Sequence, residues 1–268
     1  MLDTALALAS QTLGTGVKSG ALIHCTLTHG GVLKGLANAL PSHHFLAPDL
    51  PNHGKSADWP SGKEGMQGAA ASAIATMLDA PADVIGHSFG ATVALRLAVM
   101  HPEKVRTLTL IEPVSGAVAR VDEPEIAAAH EVEAMEMLAA IHAGDLAGAA
   151  YLFTRDWGLG RPWETIPEEA RAKMAAQMPF VAASQAEIFD DTPGLLTSGA
   201  LEGLAIPTLV LEGAETAKRH PVMRAICLGL ARRIPGAKHA LVEGAGHMAP
   251  LTHADAVAHL IRENLPGF

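Results

Sequence analysis

Cysteine is almost missing from this chain: Cys25 and Cys227 are the only two in 268 residues. Two thiols cannot build a disulfide framework, and neither has a neighbour at the paired spacing of a structural metal site. The expected setting is a reducing, cytoplasmic one. Positive charge is also scarce, with 19 lysines and arginines against 28 aspartates and glutamates and a formal net charge of -9. Such a surface repels phosphate backbones and anionic membranes, so neither nucleic acid nor membrane is an expected partner. No apolar run approaches the ~18 residues of a spanning helix, since even Ala91 to Met100 is interrupted by Arg96. The amino terminus carries Asp3 where an export signal would be basic, and its apolar stretch from Leu6 to Ala9 is too short for one. Histidine is plentiful at 14 residues, but His130-Glu131 has no second histidine four places on. The zinc-protease pattern therefore fails and no metal is expected. His43-His44 reads as a solvated pair.

What the chain does have is enough apolar sequence, 49% of its residues, to bury one large core. Runs of strand length recur at Ala21 to His24, Phe45 to Pro48, Asp83 to Gly86, Val105 to Ile111, Pro207 to Glu212 and His239 to Glu243. Between them, Val32 to Leu40, Met66 to Leu78, Ala91 to His101, Val222 to Ile234 and Ala254 to Asn264 carry apolar residues at helical spacing. Alternation of this kind predicts an α/β fold with a mostly parallel sheet, because parallel strands need crossovers and helical crossovers cover both faces. From about Ala117 to Gly203 the rhythm breaks. Helical stretches at Glu125 to His142, Leu146 to Phe153, Glu168 to Gln177 and Val181 to Phe189 follow one another without a strand, separated by Gly144, by the turn from Gly158 to Pro162, and by Pro179 and Pro193. The expected organisation is a core of residues 1–116 and 204–268 with a helical cap at 117–203. That cap is either a mobile lid, the favoured reading, or a second helical layer with no gating role.

The segment Gly86-His87-Ser88-Phe89-Gly90 lies between an apolar strand and an Ala/Leu-rich helix. A serine on so sharp a turn projects above the sheet, and small residues two places either side of it avoid collision with neighbouring backbone. The helix that starts here points its amino end at the site, so the Phe89 N–H can stabilise a developing oxyanion. A serine hydroxyl is a weak nucleophile until a base takes its proton. Gly244-Ala245-Gly246-His247 follows the last strand with glycines that let the loop fold back over the sheet, making His247 the candidate base. His239 at a strand start and His253 at a helix start are the competitors.

Gly-His-Ser-Phe-Gly, the segment Ala47 to Ser56 and Gly-Ala-Gly-His, in that order, resemble the α/β-hydrolase superfamily over residues 21–268. The resemblance implies an eight-stranded, mainly parallel sheet with a cap inserted after the sixth strand. It implies that Ala47 to Ser56 supports the site without doing chemistry. It also implies that a backbone N–H just after the third strand is the first oxyanion donor. Spacing places that donor at Thr26, after His24-Cys25, rather than in His29-Gly30-Gly31. Cys25 stands where the family has glycine; no helix follows it, so it reads as a small buried thiol and not a nucleophile. The departure that matters most is the acid. Where the family places an aspartate after its seventh strand, Gly213-Ala214-Glu215-Thr216 has threonine. Some members carry the acid after the sixth strand instead, and here that strand ends Leu110-Ile111-Glu112. Glu112 is the candidate, with Glu215 the alternative and Asp190 or Asp191 behind it.

Gly14 to Gly20 matches no phosphate loop and reads as a turn. Lys218, Arg219 and His220 with Arg224, Arg232 and Arg233 form a basic stretch that either meets an acidic substrate or is simply solvated. Met135, Met137, Met174, Met178 and Met248 either line an adaptable pocket or pack the core. The expected activity is serine hydrolysis of carboxylic esters or lactones of small, fairly apolar substrates. It requires no cofactor and no partner beyond the small-molecule substrate, and a homodimer stays open. A serine nucleophile argues against the aspartate-dependent dehalogenases and epoxide hydrolases of the superfamily. The alternatives are carbon–carbon hydrolysis of diketones and a binding protein that keeps the pocket without the chemistry. Glu112→Gln is expected to lower kcat by about 10⁴-fold, as loss of a triad charge does elsewhere, while Glu215→Gln leaves it within a small factor. Steady-state kinetics with an aryl ester give both numbers, and the reverse result moves the acid to Glu215.

Overall fold

The computed structural model describes residues 6–60, 65–192 and 194–268; Asp3 and Pro193 lie outside them. Seven strands form one sheet: β1 Ser10–Leu13, β2 Lys18–Ile23, β3 His43–Pro48, β4 Ala82–His87, β5 Val105–Ile111, β6 Thr208–Gly213 and β7 Lys238–Val242. Their spatial order is β1-β3-β2-β4-β5-β6-β7. Only β1 is antiparallel to its neighbour. Eight strands were expected and seven are found among the described residues. The expected runs correspond to β2 through β7, so the family's sixth strand is β5 here. β1, with the sequence Ser-Gln-Thr-Leu and three exposed residues, has no apolar alternation to mark it.

Period-two alternation divides the interior into two cores. Ala21, Ile23, Val84, Leu108, Leu110 and Val210 face one side and pack with helices α2 (Met66–Met77), α3 (Phe89–Met100) and α10 (Pro221–Arg233). Leu22, Ile85, Ile111, Leu209 and Leu211 face the other, beneath α1 (Lys34–Ala39) and α12 (Ala254–Asn264). Both faces are covered, as a parallel sheet requires.

Between β5 and β6 the described chain is helical throughout its regular structure: α4 Gly116–Asp122, α5 Pro124–His142, α6 Leu146–Trp157, α7 Glu168–Ala183 and α8 Gln185–Phe189. Ala149, Ala150, Met178 and Val181 form a small core of its own there. Pro179 does not separate two helices as expected, because α7 runs through it. Proline inside a helix costs about 3 kcal/mol. Burial of Met178, Phe180 and Val181 around it offsets that cost and holds the final turn.

Nor is His43 solvated. It is wholly buried, its Nε2 lies 2.8 Å from Asp83 Oδ2, and its ring stacks on Phe45 and Phe268. Asp83 also accepts from Arg106 and Thr107, so the charge is fully paired at the sheet end away from Ser88. His44 is half-buried against Gly16 O.

Two other buried imidazoles tie the loop after β2 to the loop after β3. His24 Nε2 accepts from Leu50 N–H at 2.9 Å, and His53 Nε2 accepts from Leu27 N–H at 3.1 Å. Each Nδ1–H donates to a backbone carbonyl, Cys25 O and Pro51 O respectively, so both rings must be neutral. Burial, reinforced by the neighbouring His53, drives the His24 pKa well below its usual value; burial takes His53 down to about 4. Both folded-state values lie below the unfolded value near 6.5, so the unfolded chain binds more protons between pH 6.5 and 4. Stability is therefore full above pH 6.5 and lost as pH falls, with His53 alone contributing on the order of 3 kcal/mol by pH 4. Urea midpoints measured from pH 7.5 to 4.5 should fall steeply below 6.5, and less steeply in His53→Gln; a flat profile would contradict the assignment.

Candidate active site

Strand register sets the geometry. β4 and β5 pair in parallel with His87 opposite Ile111, so Ser88 and Glu112 emerge side by side from adjacent strand ends. Ser88 N–H donates to Ile111 O at 2.9 Å, and Glu112 N–H to Leu211 O at 2.8 Å. Both residues have left-handed backbones, φ 54° and 46°, a conformation disfavoured for non-glycine residues and held only where surrounding structure enforces it. The glycines flanking Ser88 are obligatory: a Cβ on Gly86 would lie 2.4 Å from Gly90 O, and one on Gly90 2.3 Å from His24 O.

The loop after β7 brings in His247. Ser88 Oγ lies 3.0 Å from its Nε2, and its Nδ1 lies 2.6 Å from Glu112 Oε2. The second carboxylate oxygen, Glu112 Oε1, accepts from Gly213 N–H at 2.6 Å. Glu112 is completely buried, and a buried carboxylate needs such donors to be retained. Gly213 leaves no space for a side chain, since a Cβ would sit 2.7 Å from Ala245 O, 2.8 Å from Gly246 O and 2.9 Å from that carboxylate oxygen.

Among the described residues none of the other candidate acids is hydrogen-bonded or ion-paired to His247. Glu215 is half exposed and paired with Lys218, Asp190 is paired with Arg120, and Asp191 accepts from the N–H groups of Leu195 and Leu196. Thr216 is buried with its hydroxyl unpaired among the described residues. His239 binds Glu212, and His253 lies against Thr252.

Thr26 lines the same pocket as Ser88, and among the described residues no protein acceptor pairs with the N–H of Thr26 or Phe89. His29 caps a short turn at Gly30. The Cys25 thiol is pushed up by burial to about 11, the opposite of an activated nucleophile. Asp49 accepts from Gly30 and Lys55 N–H groups, a supporting role for the segment Ala47 to Ser56.

Several neighbours of this arrangement were not visible in the sequence. His87 Nε2–H donates to the His247 carbonyl at 2.8 Å, tying the loop to β4; burial holds the His87 pKa down at about 3, so the ring stays neutral. The residue stood inside the Gly-His-Ser-Phe-Gly segment, but its partner is 160 positions away. Trp157 packs edge-on to His247 at 5.0 Å, and His220 stacks on Trp157 at 4.4 Å. His220 was read as part of a basic stretch. That stretch is no free patch: Arg232 and Arg233 bind Asp122, and Lys218 binds Glu215.

Above Ser88 and His247 lies a cavity of about 1000 Å³, taken out to its open mouth. Its walls are mainly apolar, with Val114, Met137, Phe153, Val181, Ile188 and Met223 among them. Of the methionines weighed, Met137 lines it, Met174 and Met178 pack within the helical insertion, and Met135 is exposed. Among the described residues no helix is long and apolar enough to cross a membrane.

Comparison with known proteins agrees with this fold. Residues 22–260 match the model of the alpha/beta hydrolase family. The chain is 32% identical over 266 residues to a pimeloyl-[acyl-carrier protein] methyl ester esterase of Neisseria meningitidis serogroup B, covering 96% of each chain. A solved alpha/beta hydrolase from Sphaerobacter thermophilus superposes with a TM-score of 0.68 at 23% identity, covering 96% of this chain and 95% of the other. By sequence and by fold, the chain belongs to the alpha/beta hydrolase family and is an enzyme of its ester-hydrolysing kind.

Proposed function

We propose that this enzyme is a serine hydrolase that cleaves carboxylic esters or lactones of small, fairly apolar acids through an acyl-enzyme. The observation that carries the reading is the unbroken hydrogen-bond chain from Ser88 Oγ through His247 to Glu112 at the floor of an apolar pocket. His247 Nε2 takes the Ser88 proton as Oγ bonds to the carbonyl carbon, and the charge that develops on the carbonyl oxygen is met by the N–H groups of Thr26 and Phe89. The same proton passes from Nε2 to the departing alcohol. Water then gives a proton to Nε2 and adds as hydroxide to the acyl carbon; release of the acid returns the proton to Ser88. Glu112 keeps the Nδ1–H tautomer in place and stabilises the imidazolium formed in both halves.

The helical insertion, residues 117–203, serves as the cap, closing the apolar walls over the acyl group and excluding water while the ester is attacked. The relatives named as methyl ester esterases support an ester rather than a diketone as substrate. Two buried, unpaired thiols suit a reducing, cytoplasmic setting.

An aryl fluorophosphonate should label the intact enzyme stoichiometrically and leave Ser88→Ala unlabelled, read by intact mass. An aryl ester should be turned over and a vinylogous diketone left intact. Absence of labelling would mean that Ser88 is not activated and that the pocket only binds; cleavage of the diketone in preference to the ester would assign the carbon–carbon reaction.

A further inference from the structure

The far wall of the pocket carries two histidines that the reaction does not use. His220 stacks on one side of Trp157, whose ring also meets His247, so two ring contacts of 4.4 and 5.0 Å separate it from the proposed base. His130, on α5, meets Trp157 edge-on at 5.9 Å and stacks on Phe189. Both rings line the pocket; Nδ1 of each is closed off without a hydrogen-bond partner, whereas Nε2 of each has no partner among the described residues and is not buried, which leaves it as the atom an occupant can reach. The nearest carboxylate to His130, Glu133, stands off at 3.8 Å. An imidazole nitrogen that faces a pocket without a protein partner offers its hydrogen bond to whatever occupies the pocket.

The surrounding charge says what kind of group that occupant presents. Glu133, Glu136 and Asp156 also line the pocket, and Arg155, the one guanidinium among the described lining residues, is engaged by Asp156 through two hydrogen bonds of 2.9 and 3.0 Å. From Val121 to Thr154 the insertion contains no lysine or arginine. Among the described residues that line the pocket no free cation is offered to an anionic group, and Glu133 and Glu136 oppose one; Arg219, next to His220 in the chain, is exposed and is not part of the lining. Burial lowers the pKa of both His130 and His220, so both present neutral imidazoles, whose Nε2 donates or accepts according to tautomer.

Resting on the reading of this pocket as an ester-hydrolase site, we propose that His130 and His220 form a specificity subsite that receives an uncharged hydrogen-bonding group, a hydroxyl or carbonyl, at the remote end of the substrate and disfavours a carboxylate there. Trp157 is the spacer that sets how far this group lies from the ester.

The test is a matched set of methyl esters of about six to eight carbons, ending in a methyl, a hydroxyl or a carboxylate, assayed at low ionic strength beside fluorophosphonate labelling. The ω-hydroxy ester should exceed the unsubstituted one in kcat/KM by about three- to tenfold, the usual worth of one hydrogen bond, and the half-ester should fall below both. His130→Phe with His220→Phe keeps the ring packing and should bring the hydroxy-to-methyl ratio close to one. Glutamine at both positions, which restores a donor and an acceptor, should recover part of the preference. Labelling of Ser88 together with equal turnover, no turnover, or preference for the half-ester would overturn the subsite alone. Loss of labelling and turnover together would overturn the ester-hydrolase reading and the subsite with it.

Discussion

The contact on which the site depends is the 2.6 Å hydrogen bond between His247 Nδ1 and Glu112 Oε2. It decides which imidazole nitrogen faces Ser88, and with it whether the ring can accept a proton from the hydroxyl. A bond of this kind is useful only if the carboxylate is there, ionised and fixed. Burial makes that difficult, since a carboxylate stripped of water is strongly disfavoured unless donors replace the water. The fold supplies them from two directions, the imidazole itself and the Gly213 N–H at the end of the next strand. Much else follows from this need. Residue 213 is a glycine because a Cβ there would lie 2.7 and 2.8 Å from the Ala245 and Gly246 carbonyl oxygens and 2.9 Å from the carboxylate, and Glu112 holds a left-handed backbone at the strand end, φ 46°.

A second constraint is steric and centres on the turn at Ser88. Gly86 and Gly90 approach backbone atoms from β2, α3 and each other so closely that the turn is in effect wedged between the sheet and the first turn of α3. Phe89 extends this rigidity outward. Its ring meets Phe180 of α7, and Phe180 in turn meets His53, the residue that accepts from Leu27 N–H. The helical insertion is thereby in contact with both segments that supply the proposed oxyanion donors, and rearrangement of α7 would be felt at both.

The core strands were legible because each is an apolar run bounded by polar or glycine punctuation, and Val105–Ile111 and Ala254–Asn264 were bounded to the residue. Ser88, His247 and Glu112 were legible for a different reason: each ends a strand or follows one, and parallel sheets gather such ends on a single edge. What stayed hidden were features set by partners distant in sequence. β1 has no pattern of its own and exists through pairing with β3. His43 looks like a surface residue until Asp83, 40 positions on, turns it into a buried partner. Pro179 signals a break that packing of Phe180 and Val181 overrides. His220 looked like one more cation among arginines, because nothing local shows that Trp157 lies across from it.

Drawing the carboxylate from β5 has an outcome for the neighbouring stretch. In the family's usual arrangement the turn after β6 is bound to the imidazole; here it holds Thr216, whose hydroxyl has no partner among the described residues. That turn, α9 (Ala214–Arg219), leads straight to His220 at the pocket wall. Relieved of one duty, the side chains of the segment have latitude to vary, while the backbone stays tied to the loop that carries His247 through Glu215 N–H donating to Ala245 O at 2.9 Å. Divergence of substrate preference among close relatives with this arrangement would then accumulate between residues 214 and 220, while the strand that carries the acid stays fixed.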